Sequence, residues 1–140
     1  MIRTAVTEVM STPVRAVAPG TPLQEVARQL YEHDVGSVLV LEGATLVGIV
    51  TESDVVRSVA TDGTPGTPVE SVMSTEVVTV GPDVSVVEAC DLLHEHGVNH
   101  LPVVGDGVVV GIVSAPDLAP YVPPHRLNIC GHRPLDPPTP

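Results

Sequence analysis

The sequence predicts an α/β protein built from two pseudo-symmetric β-α-β-β-α repeats packed through their sheets. Three observations carry that expectation. "GIVTESD" at residues 48–54 returns as "GIVSAPD" at 111–117. The same offset aligns "VMSTPVRAV" (9–17) with "VMSTEVVTV" (72–80), and "YEHDVGSVLVL" (31–41) with "HEHGVNHLPVV" (94–104), without a gap; two copies in register mark a duplicated supersecondary unit rather than a solenoid. Apolar residues make up 43% of the chain, yet Phe and Trp are absent and Tyr occurs twice, which leaves an aliphatic interior of the kind that Val-rich strands under helices provide.

Each element follows from its local pattern. Thr67, Pro68 and Glu70 read as N-cap, first-turn proline and capping-box partner of a short turn reaching Met73, loosely mirrored from Thr4 to Met10. The short extended stretches "VRAV" and "VVTV" follow. Thr21, Pro22 and Gln24 open a helix whose apolar face is Leu23, Val26, Ala27, Leu30 and Tyr31, matched by Val86, Ala89, Cys90 and Leu93. Asp34 and Gly97 stand where those helices should end in a left-handed cap. "SVLVL" and "LVGIV" around "EGAT", and "LPVV" and "VVVGIV" around "GDG", read as hairpins of buried strands. A last helix starts at Thr51 or Ser114. The expected division is repeat 1 over 1–64, repeat 2 over 65–122 and a proline-rich tail over 123–140, with "DGTPGTP" (62–68) at the junction. At 140 residues the chain has about one domain's length, and units of roughly 60 residues would be marginal if they stood apart.

Charge and composition exclude several functions. The formal net charge is −11, with six arginines and no lysine, so counterion release has almost no source and neither a nucleic acid polymer nor an anionic membrane is an expected partner. Stacking platforms for single strands also need aromatic rings that the chain lacks. A small anionic ligand needs only a local arginine. "MIRTAVTEVM" has no apolar core followed by a cleavage site, and no segment approaches the roughly 20 apolar residues of a membrane span, so a cytoplasmic protein is expected. Cys90 on a helix face and Cys130 in the tail make no disulfide framework.

The repeated turn admits two readings. Thr51 with Asp54, and Ser114 with Asp117, are capping boxes that satisfy orphan helix amides. The same hydroxyls and amides form an anion site, and the carboxylates can hold sugar hydroxyls. Arg57, one helical turn beyond Asp54, is positioned to meet a phosphate, whereas the matching residue of the second copy is Pro120.

The order of elements, each copy ending in glycine, two apolar residues, Thr or Ser, two variable residues and Asp, resembles the cystathionine-β-synthase (CBS) domain, here as a tandem pair, the Bateman module. The likeness spans roughly residues 4–122. It implies a stand-alone, non-enzymatic regulatory module that binds an adenosyl ligand (AMP, ADP, ATP or S-adenosylmethionine) in the cleft between the repeats, signals to an effector protein by a conformational change, and pairs into a homodimer. No obligatory cofactor is implied. Carried over by position, Asp54 and Asp117 would hold ribose hydroxyls and Thr51 and Ser114 would face phosphate. Backbone around Ser37–Val38 and His100–Leu101 would frame the adenine. Arg15 and Thr79, on the opening strands, and Arg57 complete the expected ligand-binding set. The chain departs from the family in having Ser53 and Pro116 where many members carry Arg before the Asp, and Leu39 opposite Pro102; with Arg57 present in one copy only, the two half-sites should be unequal.

Other residues have plainer readings. His33 and His96 are solvated imidazoles near helix C-termini, where the dipole favours them. His100 either contacts ligand or edges its strand. His125, Cys130 and His132 lack structural-zinc spacing, so no metal is expected and the tail reads as a flexible or partner-docking segment. The alternative function is a structural or protein-interaction module without nucleotide, favoured by the missing arginines. An enzyme using the aspartates comes third, because no nucleophile, base and orienter assemble.

Overall fold

The computed structural model describes residues 4–122. The expected element order is present except for the opening strand of the second repeat: β1 (Ala16–Val17), α1 (Leu23–His33), β2 (Ser37–Glu42), β3 (Thr45–Thr51), α2 (Glu52–Ala60), α3 (Val86–His96), β4 (His100–Gly105), β5 (Val108–Ser114) and α4 (Ala115–Leu118). Single 3-10 turns at Val6–Glu8, Val69–Ser71 and Ala119–Tyr121 complete it. His125, Cys130 and His132 lie outside the described residues.

The compact units are not the sequence repeats. One unit is Val14–Val77, and the other combines, among the described residues, 4–13 with 78–122. The opening of the first sequence copy therefore packs with the strands of the second, and the opening of the second packs with the strands of the first. Val6 is buried among Leu93, Leu101, Val113 and Leu118, while Val69 is buried among Val26, Leu30, Val38 and Val50.

In the unit Val14–Val77 the sheet order is β1-β2-β3, with β1 parallel to β2 and β2 antiparallel to β3. Val38, Val40 and Val50 of these strands feed the core, as β-branched side chains do on a pleated surface. Helix α1 buries Leu23, Val26 and Leu30. Its N-cap is Pro22, with no side-chain cap. The first helical amides are satisfied instead by backbone: the Leu23 N–H donates to Thr67 O at 2.8 Å, and the Gln24 N–H to Pro65 O at 2.9 Å. The Thr67 hydroxyl accepts from the Thr64 N–H at 3.0 Å rather than capping the turn after it, which starts from Pro68 without a side-chain cap. Asp34 ends α1 in the left-handed conformation, φ 50°. Tyr31 departs from the expected core face and is 88% exposed.

In the other unit β4 and β5 form an antiparallel hairpin turned at Asp106 and Gly107, both with positive φ, which matches the sterics of a two-residue hairpin loop. The stretch "VVTV" contributes one parallel bridge, Val80 to Val103, instead of a strand. Ser85 caps α3 through the Glu88 N–H at 3.1 Å, and Val86, Ala89, Cys90 and Leu93 are buried as the periodicity predicts. Gly97 ends the helix at φ 63°. Helix α4 is only Ala115–Leu118, and Pro120 falls in the 3-10 turn that follows it. No described helix is long and apolar enough to cross a membrane.

Candidate functional site

The two strand-to-helix turns are built alike. In Val14–Val77, Ser37 stands opposite Thr51 and Val38 opposite Val50 across the β2–β3 ladder. In the other unit, His100 stands opposite Ser114 and Leu101 opposite Val113. The hairpin register thus brings the predicted framing residues beside the predicted Thr or Ser within each unit. Val38 and Leu101 are fully buried. Arg15 is exposed, and its carbonyl accepts from the Leu39 N–H at 2.9 Å, next to Val38. Thr79 is exposed just before the Val80 bridge.

Both aspartates point back at their caps. The Thr51 N–H donates to Asp54 Oδ2 at 2.9 Å, and the Thr51 hydroxyl lies 3.1 Å from the same oxygen. The Asp54 N–H returns to Thr51 Oγ1 at 3.4 Å, and Ser53 Oγ lies 3.0 Å from that hydroxyl. In the second copy the Ser114 N–H and hydroxyl both donate to Asp117 Oδ2, each at 2.9 Å. The first amides of α2 and α4 are also spent, Glu52 N–H on Gly36 O and Ala115 N–H on Asn99 O, each at 3.2 Å. Both aspartates thus fix their cap residues through one carboxylate oxygen, while the return bond from a helix amide to the cap hydroxyl is made at Thr51 and not at Ser114.

The copies differ at the other oxygen. Arg57 Nη1 lies 3.4 Å from Asp54 Oδ1, with the arginine side chain 68% exposed and the aspartate 13%. Asp117 makes no ion pair among the described residues, because its counterpart position is Pro120. Asp54 and Arg57 line an open hollow of about 420 Å³ together with Ser58, Thr61, Asp62, Thr67 and Ser71. Sequence reasoning missed those hydroxyls. The available signal was helical spacing, since Arg57 and Thr61 are four residues apart on one face of α2 and its C-cap.

A second hollow, of about 580 Å³, lies between α1 and α2 and is lined by Ala27, Leu30, Tyr31, Asp34, Glu52, Val55 and Val56. Tyr31, Val56 and Val59 present an exposed apolar surface beside it.

The CBS domain family profile matches residues 6–61 and 69–123. A CBS domain-containing protein of Bacillus subtilis, YhcV, is 38% identical over 116 residues, covering 82% of this chain and 83% of its own. Among solved structures, a putative signal-transduction protein with CBS domains from Burkholderia ambifaria superposes with a TM-score of 0.78 at 30% identity, over 83% of this chain and 91% of that one. The CBS domain pair of MJ0100, solved with 5-methylthioadenosine and S-adenosyl-L-methionine, gives a TM-score of 0.79 at 26% identity, over 85% of this chain and 95% of that one. Duplicated turns, hairpin registers and matched family segments agree: the chain belongs to the CBS-domain family, as a tandem CBS pair.

Proposed function

We propose that this CBS pair is a cytoplasmic regulatory module that binds an adenosyl ligand and changes its contacts with a partner protein when the ligand is bound. The observation that carries this reading is the repeated Thr/Ser–Asp turn. Each carboxylate is fixed by donors on Oδ2, so a ribose hydroxyl would be accepted by Oδ1, which in Asp54 also faces Arg57. Ser37–Val38 and His100–Leu101 lie on the facing strand beside each turn, where an adenine would sit. The MJ0100 pair, which binds such ligands, supports the choice of ligand class. A ligand with different affinity for two arrangements of a module shifts their populations, and this is the physical content of signalling here. The function is binding rather than turnover, with no obligatory cofactor.

A second reading is a protein-interaction module without nucleotide. The apolar surface of Tyr31, Val56 and Val59 favours it, and the same surface suits a second copy of the chain in a homodimer. Thermal-shift measurement with AMP, ADP, ATP and S-adenosylmethionine separates the two, because a ligand of the native state raises stability by mass action. A rise in midpoint with at least one ligand is expected. No shift at millimolar concentration would leave the interaction module as the function.

A further inference from the structure

Asp54 and Asp117 occupy matching positions of the repeat in unlike electrostatic surroundings. Each commits Oδ2 to its cap. Oδ1 of Asp54 is then held by Arg57 at 3.4 Å, whereas Asp117 has no such pair among the described residues. Cations are scarce throughout. The chain has no lysine, and the arginines among the described residues are Arg15, Arg28 and Arg57, all within Val14–Val77. Arg28 is engaged by Glu25 at 2.8 Å. Arg57 is thus the described guanidinium paired with a turn carboxylate, and the hollow it lines holds hydroxyls and a second acid, Asp62, but no second cation.

We infer that the Arg57–Asp54 pair is a charge latch that makes the first half-site select a nucleoside monophosphate over a neutral adenosyl ligand; the inference rests on the adenosyl reading above. A ribose hydroxyl that donates to Asp54 Oδ1 competes with Arg57 for that oxygen, since Oδ2 already accepts from the Thr51 amide and hydroxyl. For an exposed pair such as this one the displacement costs no more than about fivefold in affinity. A neutral ligand such as adenosine or 5′-methylthioadenosine gives the released guanidinium nothing in return. A 5′-phosphate replaces the carboxylate with a charged acceptor that a guanidinium can bind with two hydrogen bonds, a gain that for so exposed a side chain is about three- to tenfold. Further phosphates meet Asp62 with no second cation, so ATP gains nothing over AMP. The second half-site, with Pro120 in place of the arginine, does not distinguish ligands by charge.

Isothermal titration of the full chain with AMP, ATP and adenosine tests this in the parent, in Arg57→Gln and in Arg57→Lys, each repeated with Asp117→Ala to silence the second half-site. Melting of the ligand-free variants checks that the exposed substitution leaves the fold intact. AMP should bind the parent about three- to tenfold tighter than adenosine, and ATP no tighter than AMP. Arg57→Gln should erase that preference while adenosine binds equally well or slightly better, and Arg57→Lys should keep part of it. An AMP-to-adenosine ratio unchanged by Arg57→Gln overturns the latch and leaves the adenosyl reading standing. Failure of the parent to bind any of the three overturns both.

Discussion

Met73 lies against the α-carbon of Gly48 so closely that a methyl group there would run into its sulfur, and Met10 lies against Gly111 in the same way. Each methionine comes from the opening "VMST" of one sequence copy and covers the "GIV" strand of the other. Gly48→Ala and Gly111→Ala should therefore each destabilise by about 1–3 kcal/mol, the usual cost of overpacking. Met10→Ala should largely rescue Gly111→Ala, because Met10 atoms are the close neighbours there. Rescue of Gly48→Ala by Met73→Ala should be partial, since the Ser74 carbonyl remains 3.1 Å from the added carbon. Urea unfolding of the two double-mutant cycles measures this; neutral single substitutions would contradict the packing.

The same crossing of segments predicts which fragment folds. A peptide spanning Val14–Val77 contains Val69, Val72 and Met73 with the strands they cover and should unfold cooperatively in urea. A peptide of residues 1–64, the repeat as written in the sequence, lacks those residues and should not. The opposite pattern would return the folding unit to the sequence repeat.

Thr51→Ala should lower ligand-free stability by about 1 kcal/mol, the typical worth of an N-cap. Ser114→Ala should cost less, because α4 is a single turn. Equal losses in thermal or urea unfolding would show that the two caps are equivalent after all.

The sequence made the element order, the hairpins, the left-handed stops at Asp34 and Gly97, and the paired Thr/Ser–Asp turns legible, because each depends on residues close together in the chain. It did not reveal the exchange of openings between units, since a gapless repeat looks the same whichever copy Val6 and Val69 bury against. The entry of α1 was hidden for a related reason. Carbonyls of Pro65 and Thr67, distant in sequence, had already met the α1 amides. Tyr31 fits the apolar period of α1, yet periodicity cannot tell a core face from an exposed one. At the site, both aspartates were readable, but the pairing of Arg57 with Asp54 Oδ1 depends on side-chain geometry that spacing only permits.

Tyr31, Val56 and Val59 are 88%, 68% and 67% exposed, a costly arrangement for a free surface. A homodimer that covers them is expected at tens of micromolar, and Val56→Glu or Val59→Glu should return it to monomer while leaving the melting of the monomer little changed. Light scattering reads the state directly. A parent chain that is monomeric with and without nucleotide would rule out this role for the face.

Calorimetric titration of AMP into the parent, Thr51→Ala, Asp54→Ala and Asp117→Ala tests most directly whether the repeated turn is a ligand site as well as a helix cap. Thr51→Ala removes the cap hydroxyl and keeps the carboxylate. Asp54→Ala should weaken AMP by about 10- to 100-fold, as expected for a hydrogen bond to a charged group, with smaller losses for Asp117→Ala and Thr51→Ala. If all three variants bind AMP as the parent does, the turns serve only to cap their helices and the ligand site lies elsewhere.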